Sequence, residues 1–255
     1  MYDLPDAVQV EADGPLRIVR LSRPEHLNAA NDDLHLGLTR VWPQISADPG
    51  ARVAIITGEG RAFSAGGDFD LLDRMSKDRA LRAATIAEGR ELVMNMVRCR
   101  VPVVAAVNGP AVGLGCSVVA LSDLVYMAQS AYLSDPHVAV GLVAADGGPI
   151  TWPLHTSLLL AKEYAFTGDR IKADRAREIG LANHVVPDGD LIAEATKAAR
   201  RIAALPQQAV EATKRVLNLH LEKAVLATID FAMEAETASF DTEDLRANVE
   251  RLRKG

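Results

Sequence analysis

The stretch Val101-Pro-Val-Val-Ala-Ala-Val-Asn-Gly-Pro-Ala-Val-Gly-Leu-Gly-Cys-Ser117 decides the fold. Its first half, residues 101–107, is apolar and rich in β-branched side chains, which is typical of a strand that is buried on both faces. Asn108-Gly109-Pro110 ends this strand, and a helix is predicted to begin near Leu114. The first N–H groups of such a helix have no partner within it, and the neighbouring glycines leave room for a ligand. These donors suit a negative charge that develops on an oxygen atom.

The rest of the chain alternates predicted strands with predicted helices, which indicates an α/β fold with crossover connections. A hairpin is predicted around Asp13-Gly14, and residues 70–77 are predicted as a mobile loop or a short helix. From residue 156 onward the pattern is helical. The further strands are predicted at residues 53–57, 123–128 and 131–133, and the helices at residues 31–45, 79–98, 172–179, 190–204, 206–219, 221–239 and 242–253.

Composition excludes several classes of protein. The 255 residues are 49% hydrophobic and 24% charged, which is ordinary for a globular protein, and a net charge of −6 without a basic stripe argues against a nucleic-acid partner. Prolines, Asn108 and glycines interrupt the uncharged run at residues 101–122, so we expect no membrane span. The two cysteines are predicted to be reduced core thiols, and no cluster has metal-ligand spacing. The acidic start of the chain lacks an apolar segment, so we expect no signal peptide and a cytoplasmic protein.

Seven pieces of the chain resemble the crotonase superfamily, which contains the enoyl-CoA hydratases and isomerases, and they come in the family's order. They are residues 23–28, 62–68, 102–109, 113–116, 122–124, 142–148, and 167–171 followed by Gly180-Leu181. The resemblance implies an α/β crotonase (ClpP-like) fold, with a repeated ββα spiral core at residues 1–200 and a C-terminal helical trimerisation region at residues 201–255. It also implies a homotrimer or a dimer of trimers, although helices that pack within one chain would show the same apolar faces.

The same resemblance implies an acyl-CoA substrate, with coenzyme A as part of the substrate and no separate cofactor. The backbone N–H groups of Gly67 and Leu114 match the family's oxyanion hole, which holds a thioester carbonyl. The positions near coenzyme A match Leu27, Ala29, Ala65 and Asp68. Other interpretations remain open, because the glycine-rich pieces are also ordinary turns, Leu27 and Ala29 also suit simple packing, and Asp68 also suits a helix N-cap.

The predicted catalytic residues depart from the family pattern. Enoyl-CoA hydratases carry two glutamates where this chain has Ser117 and His137. A different titratable pair, His137 and Asp146, stands nine residues apart, and an aspartate beside a histidine supports acid–base chemistry near neutral pH. Residues 137–153 resemble the oxocamphor hydrolase branch, which cleaves β-diketones by a retro-Claisen reaction, whereas residues 62–68 keep the form typical of coenzyme A enzymes.

Three functions follow from these observations. The leading one is an enoyl-CoA hydratase/isomerase activity, with His137 as acid/base and Asp146 as its partner or as a second acid/base. The second is hydrolysis, in which His137 activates water to cleave a C–C or thioester bond. The third is a non-catalytic acyl-CoA-binding protein, because both glutamates are missing. The five other histidines show no spacing that indicates a partner.

Overall fold

The computed structural model describes residues 2–253. Residue 1 of the predicted core range 1–200 and residues 254–255 of the predicted C-terminal range 201–255 lie outside this part. The described residues form nine strands in two sheets. The strands are β1 Val8–Asp13, β2 Leu16–Leu21, β3 Val53–Gly58, β4 Val103–Val107, β5 Ala111–Val112, β6 Leu124–Ala128, β7 Tyr132–Ser134, β8 Ile171–Lys172 and β9 His184–Val186. The larger sheet has the order β1-β2-β3-β4-β6-β9, and the smaller one has the order β5-β7-β8.

Eleven α-helices accompany these strands in the described part of the chain. They are α1 Asp32–Ala47, α2 Phe69–Lys77, α3 Arg79–Arg98, α4 Leu114–Ala120, α5 His137–Val140, α6 Gly148–His155, α7 Leu158–Thr167, α8 Ala173–Glu178, α9 Leu191–Ala203, α10 Gln207–Ser239 and α11 Glu243–Arg253. None of the helices within residues 2–253 is both long enough and apolar enough to cross a membrane. The predicted α/β architecture with a helical C-terminal part is confirmed.

The larger sheet is parallel except for the β1–β2 hairpin. Every residue of β3 and β4 is buried, as expected for central strands covered on both faces. Helices α1, α3 and α9 pack against this core, and α10 packs on α3 and α6. The carboxyl end of β4 leads through β5 directly into α4, so the sheet positions the turn that precedes α4.

The structure corrects the predicted elements in places and decides between the loop and the short helix that were both left open for residues 70–77. Helix α10 is a single helix of 33 residues, where two helices divided near residue 220 were predicted. The division was wrong because Leu219-His220-Leu221 contains no helix-breaking residue. Residues 70–77 belong to helix α2, whose N-cap is Asp68. Strands β5, β8 and β9 were missed, because such short segments become strands by pairing with a neighbour and not through a pattern of their own.

Candidate active site

Two glycine-containing turns lie side by side and form one wall of a pocket. Ser64 pairs with Ala111 in an isolated parallel bridge, and the N–H of Val112 donates to the carbonyl of Ser64 over 2.9 Å. Gly66 has a φ of +91°, and a Cβ there would lie 2.9 Å from the Val112 oxygen. Only glycine therefore permits this close approach of the two turns.

The approach brings Gly67 and Leu114 to the same pocket. Leu114 is the first residue of α4, so its N–H has no partner within the helix. Neither N–H donates a hydrogen bond to another residue within the range 2–253. Two free donors at a pocket wall suit a ligand oxygen that carries partial negative charge.

His137 begins the short helix α5, directly after the strand β7 and Asp135-Pro136. The N–H of Gly113 donates to the carbonyl of Ser134 over 2.9 Å, which ties this segment to the turn before α4. The Asp135 carboxylate, which is 1% exposed, forms a hydrogen bond with Nδ1 of His137. Asp135 was not predicted from sequence, and it holds the imidazole ring so that Nε2 is left for the pocket.

Asp146 approaches the same ring from the other side. Its Oδ2 lies 3.9 Å from Nε2 of His137, and the hydroxyl of Ser117 donates to its Oδ1 over 2.7 Å. The next residue, Gly147, makes this position possible, because a Cβ there would lie 2.7 Å from the Cβ of Ser117. The structure therefore brings His137 and Asp146 together, but the contact that orients the ring comes from Asp135.

Glu236 of α10 also lines this pocket, and nothing in the sequence marked it. Burial raises the pKa of Glu236 to about 8, and the negative charge of Asp146 adds to this effect. The carboxyl group is therefore mostly protonated at pH 7. Glu236 lies 90 positions beyond Asp146 in the chain, so only the packing of α10 reveals that the two belong to one cluster.

The electrostatics of the cluster favour a charged histidine. Burial opposes the charge on His137, but the carboxylates of Asp135 and Asp146 outweigh it and raise the pKa of His137 to about 10. Burial likewise opposes ionisation of Asp135, yet the charge and hydrogen bonds of His137 keep the pKa of Asp135 below its ordinary value. At neutral pH, His137 is therefore an imidazolium, which donates protons, and it faces the carboxyl group of Asp146.

A second, wider groove adjoins the pocket and shares Ala65, Gly67 and Asp68 with it. The groove also contains Leu27 and Ala29, so the four predicted substrate-binding residues lie along one surface. Its basic side chains are Arg23, His26, Arg61, Arg74 and Arg253, and its acidic ones are Glu25, Asp32, Asp68, Asp70 and Glu250.

The local structure explains the backbone conformation of Leu27 and the role of Asp68. Leu27 and Asn28 have φ values of +53° and +55°, and the Asn28 side chain stabilises this turn by donating to the carbonyls of Glu59 and Ala62 over 2.9 Å. The carboxylate of Asp68 accepts from the N–H of Asp70 and lies 3.4 Å from Arg23. Asp68 is thus a helix N-cap, and its place at the groove also leaves it available to a ligand.

The model of the family described as enoyl-CoA hydratase/isomerase matches residues 11–254 of this sequence. The chain belongs to the enoyl-CoA hydratase/isomerase family. It is 30% identical to the short-chain-enoyl-CoA hydratase of Clostridium acetobutylicum, over 93% of this chain and 90% of that protein. It is 32% identical to the crotonyl-CoA hydratase of Syntrophomonas wolfei, over 91% of this chain and 87% of that protein.

Solved structures of the family agree with the fold. A crystal structure of an enoyl-CoA hydratase/isomerase from Mycobacterium paratuberculosis is 66% identical, with a TM-score of 0.96, and the match covers 98% of this chain and 100% of that one. The predicted crotonase fold and the predicted class of enzyme are confirmed. The likeness of residues 137–153 to the oxocamphor hydrolase branch stays a prediction.

Two further observations concern the titratable side chains of the protein described here by residues 2–253. No group of three or more His, Cys, Asp or Glu side chains within residues 2–253 is arranged to hold a metal ion. The sequence spacing gave no sign of a partner for His35, but in the structure its Nδ1 lies 3.1 Å from Oε2 of Glu88 on the neighbouring helix. His35 is 8% exposed and lines the same pocket as His137.

Proposed function

We propose that this protein catalyses reversible proton transfer beside the thioester carbonyl of an enoyl-CoA, which adds water to a double bond or shifts it. The observation that carries the proposal is the 3.9 Å separation of His137 Nε2 and Asp146 Oδ2, in the pocket that also contains Gly67 and Leu114. An acid and a base thus face one substrate position, next to two free N–H donors. This arrangement replaces the two glutamates that the family resemblance leads one to expect.

The backbone donors stabilise the charge that such a reaction creates. The thioester oxygen accepts hydrogen bonds from the N–H groups of Gly67 and Leu114, and these bonds strengthen as the oxygen becomes an enolate. The loss of one donor of this kind typically costs about 3 kcal/mol in the transition state. Since both donors belong to the backbone, side-chain substitutions elsewhere in the pocket leave them in place.

The charge state of the cluster assigns the two proton-transfer roles. In hydration, the Asp146 carboxylate accepts a proton from water while the water oxygen bonds to C3 of the enoyl group. His137, an imidazolium at neutral pH, then donates its Nε2 proton to C2, and the enolate collapses to the thioester. Transfer of the proton from Asp146 to His137 restores the starting state.

A shift of the double bond uses the same two groups. Asp146 removes a proton from C2, the oxyanion hole holds the enolate, and His137 donates a proton to C4. Ser117 and Asp135 act as positioning residues, because the first holds the carboxylate of Asp146 and the second holds the ring of His137. Glu236, protonated near neutral pH, adds no negative charge to the site during the reaction.

The wide groove suits the coenzyme A part of the substrate. Arg61 is exposed there and has no ion-pair partner within residues 2–253, whereas Arg23, Arg74 and Arg253 are each paired with an aspartate. An unpaired guanidinium is suited to bind a phosphate group. Leu27, Ala29, Ala65 and Asp68 line the same groove as this cation.

Self-association into trimers, or into a dimer of trimers, is part of the proposal. Leu154 of α6, Leu205 after α9 and Leu217 of α10 line one surface groove and are each at least 50% exposed. Phe166 of α7 and Phe231 of α10 are 68% and 77% exposed. Large exposed apolar side chains on neighbouring elements are typical of protein–protein interfaces, and the family resemblance supports contacts between copies.

A product assay tests the proposed reaction. The protein is incubated with a trans-2-enoyl-CoA, a β-ketoacyl-CoA and a cyclic β-diketone, and the products are separated by mass. We expect water addition or double-bond migration on the enoyl-CoA, without any metal or nicotinamide. Cleavage of a C–C bond in the β-diketone would instead support the retro-Claisen alternative, and binding without turnover would support an acyl-CoA-binding protein.

A further inference from the structure

His35 is a polar group in an otherwise mainly apolar part of the pocket wall. It lies on α1, and the pocket residues around it include Ile86 and Met233. Thr85 also lines this part, but its hydroxyl donates to the carbonyl of Leu81 over 3.0 Å. Within this part of the described pocket, the imidazole of His35 therefore offers a hydrogen-bonding atom that the protein itself does not use.

Glu88 determines which atom of the ring is available. A carboxylate only accepts hydrogen bonds, so the contact of 3.1 Å between Oε2 of Glu88 and Nδ1 of His35 places the ring hydrogen on Nδ1. In the neutral ring, Nε2 then carries a lone pair. The contact between His35 and Glu88 is held firmly by neighbouring hydrogen bonds. Thr39 donates to the carbonyl of His35 over 3.0 Å, and Asn95 of α3 donates to the carbonyl of Thr39 over 3.0 Å.

The space in front of Nε2 is open because residue 89 is a glycine. A Cβ at Gly89 would lie 3.8 Å from Nε2 and 3.9 Å from Cε of Met233. Nε2 has no hydrogen-bond partner within residues 2–253. Met233 is one helical turn from Glu236, so this space adjoins the catalytic cluster.

A contact that served only to join α1 and α3 would need neither the free Nε2 nor the glycine opposite it. His35 is only 8% exposed, and an acceptor at the pocket wall that has no protein partner gains a favourable interaction when a bound group donates a hydrogen bond to it. We infer that the substrate's acyl group carries a hydroxyl on C4 or a later carbon, and that this hydroxyl donates a hydrogen bond to Nε2 of His35. The inference rests on the proposed function, because it assumes that an acyl-CoA occupies this pocket.

Binding of saturated thioesters tests the inference separately from turnover. Isothermal titration calorimetry compares hexanoyl-CoA with 4-, 5- and 6-hydroxyhexanoyl-CoA, none of which carries a double bond. We expect at least one hydroxylated thioester to bind about tenfold more tightly than hexanoyl-CoA, as a single additional hydrogen bond would give. If all four bind and none of the hydroxylated ones is preferred, the inference is wrong while the proposed function stands. If none of the four binds, both fail.

Two variants identify the atom responsible. In His35→Leu the acceptor is lost, and in Gly89→Ala the acceptor remains but a methyl group fills the space before it, at an ordinary contact distance. Both should bind hexanoyl-CoA and lose the preference for the hydroxylated thioester. Gly189→Ala, whose Cβ would meet nothing within 4 Å, is the matched control and should keep that preference. A preference that persists in Gly89→Ala would overturn the inference, even if His35→Leu fails to fold.

Discussion

The hydroxyl of Ser117 donates a hydrogen bond of 2.7 Å to Oδ1 of Asp146, from the position where the family resemblance leads one to expect a glutamate. The serine thus contributes no acid or base of its own. It holds the carboxylate that we propose takes over the chemistry, and Gly147 gives the two residues room to meet.

The first prediction concerns this contact. Ser117→Ala should lower kcat about tenfold and leave KM nearly unchanged, because a hydrogen bond to a charged group is worth about 1.5 kcal/mol or more and Ser117 does not itself line the pocket. Steady-state kinetics on the substrate identified by the product assay measures both constants. Ser76→Ala is the control, since the hydroxyl of Ser76 donates to the backbone carbonyl of Asp73 and Ser76 does not line the pocket. An equal loss in both variants would contradict a specific role for Ser117.

The second prediction concerns His137 and Asp146, the pair proposed to transfer the protons. His137→Ala and Asp146→Asn should each lower turnover by about 10²–10⁴-fold, the usual range for a positioned acid or base. The double variant should be little worse than the less active of the two single variants, because the loss of either group already interrupts the same catalytic cycle. Calorimetry with hexanoyl-CoA should show that binding survives, and circular dichroism checks the fold. Near-normal turnover in both single variants would make the pair structural.

The third prediction concerns the charge on His137. Its pKa of about 10 means that the donating form is present at neutral pH, so activity should fall as the pH rises through about 10. Asp135→Asn removes a negative charge that raises this pKa, and the alkaline loss of activity should therefore move to lower pH. Nitrogen-15 NMR of the imidazole follows the same titration directly. A His137 ring that is neutral at pH 7 in the wild-type protein would make the assignment of His137 as the acid wrong.

The fourth prediction concerns stability and Glu236. Folding raises its pKa from 4.5 to about 8, mainly by burial, so the folded chain holds a proton that the unfolded chain releases. This contribution to stability is fully present below about pH 4.5 and is lost as the pH rises through about 8. Glu236→Gln should reduce the fall in melting temperature between pH 5 and pH 9 by roughly 3 °C or more. Glu234→Gln changes an exposed position of the same helix and should leave this fall in melting temperature unchanged.

The fifth prediction concerns self-association. Light scattering at micromolar concentration should give a mass well above that of the 27.3 kDa chain, in a multiple of three. Leu217→Glu places a charge in the exposed apolar groove and should shift the protein toward smaller species. Gln9→Glu, at an exposed position of β1, is the control. A stable and active wild-type monomer would exclude the proposed trimer.

The sequence by itself determined the fold and part of the site. The apolar run before Asn108 and the glycines near Leu114 are local signals, because strand burial and helix starts depend on neighbouring residues. They predicted β4, the start of α4 and the donors at Leu114, and the ordered motifs predicted the family. His137 and Asp146 were also found from sequence, since only a short turn separates them.

Only the tertiary structure decided how these residues act together. Asp135 and Ser117 contact the predicted pair through side-chain directions that the sequence pattern does not encode. Glu236 and His35 come from α10 and α1, which lie far apart in the chain and meet at the pocket because both helices pack on α3. The charge on His137 follows from the same packing, because a pKa depends on burial and on charges within a few ångströms in space rather than along the chain.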